Sequence, residues 1–164
     1  MQFAKDSFYM ALRSRLAELN PQRAVVIDGV SQAAILVGEN EPVTSAERLN
    51  DCFYVSFGAA KVLSLCESAP PLMSVAVTLS YRTRGTVDGS ADRGRSLGKL
   101  DSELIDMCSM RSAPKCDYRK DPVTDLGTKV FWSAPHIGDV EPNAAELSRE
   151  VQVTLYFYPE INAA

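Results

Sequence analysis

Apolar and polar side chains alternate through "LMSVAVTLSYRTR", residues 72–84, so that Met73, Val75, Val77, Leu79 and Tyr81 share one side. Ser74, Thr78, Ser80 and Arg82 take the other, with Ala76 among them. A period of two over this length predicts a central β-strand with one face in the core. The same period returns in "SREVQVTLYFYPE", where Val151, Val153, Leu155 and Phe157 oppose Gln152, Thr154, Tyr156 and Tyr158. Two other segments repeat at helical spacing. Phe8, Leu12, Leu16 and Leu19 predict a helix over residues 6–19, stopped by Asn20-Pro21. Leu97, Leu100, Leu104, Met107 and Cys108 predict a second, from about Asp92 to Met110. Its far face, with Lys99, Glu103 and Asp106, reads as solvated.

Between these anchors the signals are shorter. "AVVIDG" is a β-branched run closed by Asp28-Gly29, a strong turn pair. Ala33 to Val37 predicts a short strand, and "CFYVSFGAAKVLSL" predicts one from Phe53 to about Leu63. "SAPP" at 68–71 reads as a chain break, and "KVFWS" as a short strand. Residues 43–52, 111–128 and "APHIGDVEPNA" are polar or rich in Pro, Gly and Asp, and read as loops. The order predicts an α+β fold: a mixed, largely antiparallel β-sheet with two amphipathic helices packed on one face. At 164 residues, positions 1–164 fit a single domain.

Composition removes some function classes. Hydrophobic residues make up 46% and charged residues 23%, ordinary for a globular chain and unlike a disordered one. No apolar run approaches the roughly 20 residues of a membrane helix. The N-terminal stretch carries acids and reads as the first helix and not as a signal peptide, which leads us to expect a cytosolic protein. A net charge of −4 argues against nucleic acid as a specific partner. Cys52, Cys66, Cys108 and Cys116 lack C-x2-C spacing, so reduced, metal-free thiols are expected in preference to a zinc site.

The chemically suggestive stretch is "RTRGTVDGSADRGRSLGK", residues 82–99. A phosphate loop needs G-x-x-x-x-G-K-[ST], but Gly98-Lys99 is followed by Leu100 and Arg93 stands where the first glycine belongs. No G-x-G-x-x-G is present either. The stretch reads as a flexible strand-to-helix connection, mobile over 85–96, whose arginines lack local acidic partners apart from Asp88 and Asp92. His136 is the only histidine, with no G-x-S-x-G elbow or H-E-x-x-H to serve. Asp121, Asp125 and Gly127 loosely suggest a calcium loop that lacks its closing glutamate. The residues therefore predict no catalytic group, no cofactor and no metal, and a protein that is not an enzyme. Aromatic side chains on both faces of the last strands call for a second layer or another subunit.

The helix, the strand pair of "VVIDGVSQAAILVGENE", the long strand "MSVAVTLSYRTRG", the helix "DRGRSLGKLDSELIDMCS", "KVFWSAP" and the closing strand together resemble one family in their order. It is the tail terminator and tail-completion proteins of long-tailed phages, of the minor tail protein U type, and the caps of phage-like contractile tails. The resemblance covers nearly the whole chain as an order of elements and rests on no catalytic motif. It implies a structural phage or prophage protein of the virion tail, assembled in the bacterial cytoplasm. Such a protein forms a homo-oligomeric ring, usually a hexamer, that caps the tail tube protein and meets the head-tail connector. By the same resemblance, Arg82, Arg84, Arg93 and Arg95 become interface residues, suited to carboxylates of a neighbour. A small soluble ligand-binding or regulatory α+β domain is the alternative.

Overall fold

The computed structural model describes residues 1–39, 48–66, 69–85 and 90–160, with the backbone alone at 65, 66, 69, 70, 90 and 91. α1 (Gln2–Leu19) turns Ala4, Phe8, Leu12 and Leu16 inward, each fully buried, on the stripe its spacing predicts. Asp28 and Gly29 follow with φ of 49° and 80°. Positive φ at both central residues is what a two-residue type I′ hairpin requires, so they join β1 (Ala24–Ile27) tightly to β2 (Val30–Ala33). The short strand expected at 33–37 is divided. Its first residue ends β2, while β3 (Ile35–Val37) runs parallel to β4.

The main sheet has seven strands in the order β3-β4-β5-β9-β7-β6, with β8 also on β9. β4 (Phe53–Cys66) and β5 (Ala69–Thr83) form one long antiparallel hairpin, and β5 pairs along its length with β9 (Leu147–Phe157). Val77 lies opposite Phe57 on one side and Val153 on the other, at the sheet's centre. α2 (Ser90–Cys108) lays Leu97, Leu100, Leu104 and Met107 on the same face of β5 and β9 that α1 covers. One core therefore holds both helices on one face of a mixed, largely antiparallel sheet, as the alternation and the helical stripes predict.

Several expectations are corrected. Residues 111–128 are not one loop: they hold β6 (Ser112–Asp117) and the start of β7 (Thr124–Trp132). β6 does alternate, but its buried positions are Ala113, Lys115 and Asp117, so polar residues carry the period. Lys115 Nζ donates to the Tyr158 carbonyl at 2.7 Å, and Asp117 accepts from Arg119, which lets both sit inside. "APHIGDVEPNA" likewise contains β8 (His136–Pro142), an exposed strand with no buried face to mark it. "SAPP" does not break the hairpin, because Pro70 and Pro71 fall where the β4–β5 pairing is already irregular.

The Gly/Arg connection is also shorter than expected. α2 starts at Ser90, so the backbone of residues 90–96 is helix and not connection, while 86–89, with Asp88, lie outside the described residues. So does half of the loop read at 43–52, residues 43–47. Gly85 makes the corner, with φ of 80°; a Cβ there would meet Asp92 Oδ2 at 2.5 Å. Glu103, read as solvated, instead accepts from Asn20 Nδ2 at 2.8 Å and from the Arg23 guanidinium, through both Nε and Nη2. The pair ties the end of α1 to the outer side of α2. Glu103→Ala removes both partners at once and is expected to cost about 2–3 kcal/mol in urea melts.

Candidate functional site

Three of the four sequence-predicted arginines converge where β5 leaves the sheet. Arg82 lies opposite Ser148 and Thr83 opposite Leu147, so β5 delivers Arg82 to the start of β9. The turn between β8 and β9 is fixed by Asn143, whose Oδ1 accepts from the N–H groups of Ala145 and Glu146, both at 2.8 Å. An Asx turn of this kind holds Glu146 in place before any cation reaches it. Arg82 Nη1 donates to Glu146 Oε1 at 3.1 Å, and Arg84 Nε stands 3.7 Å from Oε2. From the first turns of α2, Arg93 Nη1 donates to the Ala144 carbonyl at 3.3 Å. Arg95 is exposed and does not join the cluster; among the described residues no ion pair holds it.

A polar pocket of about 190 Å³ opens behind these contacts. Arg82 Nη2 donates to the Arg48 carbonyl, Arg48 Nη1 to Ser80 Oγ at 2.8 Å, and the Arg48 guanidinium stacks on Tyr54 at 5.1 Å. Arg149 Nε approaches Asp101 at 3.6 Å, and the same carboxylate accepts the Tyr81 hydroxyl at 2.5 Å. Arginines and carboxylates alternate, so charge is largely balanced within the site. Guanidinium groups cannot act as bases at any ordinary pH. The arrangement offers guanidinium groups and carboxylates that could meet a charged partner.

Burial, with the Asp101 hydrogen bond second, raises the Tyr81 phenol well above its ordinary value. The unfolded phenol ionises near pH 10 and the folded one only above it, so this group favours folding below about pH 10 and loses that contribution as pH rises further. Tyr81→Phe is expected to cost about 1–2 kcal/mol at pH 7. It should also shrink the gap in stability between pH 7 and pH 11 in urea titrations. Tyr54 and Tyr118, both raised chiefly by burial, keep part of that gap in the variant.

His136 is exposed on β8, apart from this cluster. Cys52, Cys108 and Cys116 form no disulfide among the described residues, and the Cys66 side chain lies outside them. Burial pushes the Cys108 thiol up to about 12, so it stays protonated and inert at neutral pH. Among the described residues, no group of three or more His, Cys, Asp or Glu is placed to hold a metal ion, and no helix is long and apolar enough to cross a membrane.

A second concavity, about 490 Å³, lies at the other end of the sheet between Phe3, Lys115, Leu126, Tyr158 and Pro159. Glu160 closes it, taking the N-terminal ammonium and standing 3.7 Å from Lys115 Nζ. Burial raises the Glu160 carboxyl, but the ammonium's hydrogen bond and charge outweigh it and leave it below the usual carboxylate range.

The residues that complete the arginine cluster escaped the sequence reading. Glu146 and Asn143 sat in a segment read as loop, yet Asn-Ala-Ala-Glu is itself the spacing of an Asx-fixed turn. Arg48, in the segment before β4, and Arg149, on β9, carry no such local signal, because only the tertiary fold brings them to one pocket. No protein-family model matches this chain, and no curated protein matches it significantly.

Proposed function

We propose that this protein is a non-catalytic assembly protein of a phage or phage-like tail: a terminator whose ring, usually of six copies, caps the tail tube and presents a surface to the head connector. Its place is the virion tail, reached after assembly in the bacterial cytoplasm. The observation that carries the reading is the convergence of Arg82, Arg84 and Arg93 on the Asn143–Glu146 turn, with Arg95 exposed one helical step away. Arg84, at 61% side-chain exposure, and Arg95 keep donors facing outward from a rigid base. A built, charge-balanced rim without a base–nucleophile pair suits contact with acidic groups on another protein. The order of elements, which resembles tail terminators, supplies the kind of partner.

The test is polymerisation of the purified cognate tube protein in the presence of this one. Wild-type protein should bind tube ends and limit tube length, less strongly as salt rises. Arg93 and Arg95 lie on the outer side of α2, so R93E/R95E should stay folded and lose capping. If wild-type protein neither binds tube ends nor limits length, the terminator reading fails. A small ligand-binding domain then becomes the better account, favoured by the apolar concavity around Phe3, Leu126 and Tyr158.

A further inference from the structure

Beyond Phe57, β4 becomes exposed, while β5 stays paired with β9 as far as Met73. Residues 58–64 are exposed, with Val62 at 53% and Leu63 at 51%, although they continue β4 with register shifts between Phe57 and Ala60 and between Val62 and Ser64. An edge strand with open backbone groups and exposed apolar side chains is a template for pairing with another chain. β3 covers the outer edge of β4 only at Phe53–Val55. From Gly58 to Ser64, among the described residues, that edge pairs with nothing. β8 has the complementary condition: it pairs with β9 alone, so its outer edge is open along seven residues, His136–Pro142. The two open stretches are the same length.

They also face opposite ways. In the strand order, β4 lies on one side of β5-β9 and β8 on the other. Within one chain they cannot meet, but the β4 edge of one copy can meet the β8 edge of the next. Direction agrees with this. β4 is antiparallel to β5, β5 to β9, and β9 to β8, so β4 and β8 run in opposite senses. A neighbour placed in the same orientation then offers β8 antiparallel to β4, and the sheet continues across the boundary.

Charge selects this pairing over its rivals. Lys61 is the one charged residue between Gly58 and Ser64, and it stands at the centre of that stretch; Asp139 stands at the centre of β8, flanked by Glu141. Two β8 edges brought together would oppose acid to acid, and two arms would oppose lysine to lysine. Only the unlike pairing sets Lys61 against Asp139.

We infer that residues 58–64 of β4 form an antiparallel edge with β8 of a second copy of this chain, a head-to-tail contact that self-association repeats. A heterologous contact of this kind closes into a ring or runs on as a filament, according to the rotation between copies. The inference deepens the ring reading proposed above and rests on it for closure, but not for tail tubes.

Two measurements test it. In sedimentation equilibrium, wild-type protein is expected to self-associate, Lys61→Glu and Asp139→Lys each to weaken association about tenfold or more, and a K61E/D139K variant to regain most of it. Separately, Ala60→Cys and Val140→Cys proteins, mixed and oxidised, are expected to give a 60–140 disulfide identified by peptide mass spectrometry, absent when either is oxidised alone, because these two positions stand opposite each other when Lys61 faces Asp139. Wild-type protein that is monomeric at its highest soluble concentration, or charge reversals without effect, would overturn the inference. Oligomers that lack the 60–140 link in the mixed sample would also overturn it. Rings that cap tubes without that link would sink the edge pairing and leave the terminator reading standing. The link without capping would do the reverse.

Discussion

Val77→Asp is expected to abolish the folded state or bring it to the brink. Val77 is fully buried and sits between Phe57 of β4 and Val153 of β9 at the middle of the sheet. Its inward neighbours along β5, Val75 and Leu79, are equally enclosed under α1 and α2. A carboxylate there would lose water and find no cation, since the surrounding core is apolar. The cost is several kcal/mol, about 4 or more, against a total stability of roughly 5–15 kcal/mol for a domain of this size. Val77→Ala provides the graded control: it leaves a small cavity and should cost about 2–3 kcal/mol. Circular dichroism melts of the two variants would check both values. A Val77→Asp protein that melts like wild type would show that β5 is not central.

What the sequence disclosed follows from where apolar residues were needed. β5 and β9 are buried on one face only, so Met73–Tyr81 and Val151–Phe157 had to alternate, and they could be read. α1 and α2 each rest one stripe on that face, so their spacing was equally plain. β6 and β8 were missed for opposite reasons. β6 buries Lys115 and Asp117, whose partners come from distant chain, the Tyr158 carbonyl, or from a turn, Arg119. β8 buries nearly nothing, so no hydrophobic period marks it.

The candidate site divides in the same way. Arg82, Arg84, Arg93 and Arg95 were found because they crowd one stretch of sequence, and β5, Gly85 and α2 bring the first three together. Their anchor was not found. Glu146 stands 64 residues from Arg82, and only the β5–β9 register sets them side by side. Glu103 was misread for a related reason: a helical wheel shows which face a residue takes but not that Arg23, returning from the end of α1, covers it.

Trp132→Ala should be nearly as damaging as the charge in the core, and its conservative partner separates the causes. The indole is 4% exposed and packs edge-to-face on Phe8, with ring centroids 5.3 Å apart. Its Nε1 donates at 2.9 Å to the carbonyl of Cys108, the last residue of α2. One side chain on β7 thus holds the inner face of α1 and satisfies a carbonyl that the helix end leaves without an internal donor. Truncation to alanine opens a large cavity, removes the aromatic contact and orphans that carbonyl, at a cost of about 4–5 kcal/mol. Trp132→Phe keeps most of the volume and the ring contact while losing the donor, and should cost about 1–2 kcal/mol. Urea midpoints would rank the two, and hydrogen exchange in the last turn of α2 would locate the loss. If phenylalanine proves as costly as alanine, the hydrogen bond to Cys108, and not the filled volume, is what docks α2 at this end. Because Arg93 rides on the opposite end of the same helix, a folded Trp132→Phe protein should retain its placement on the Asn143–Glu146 turn.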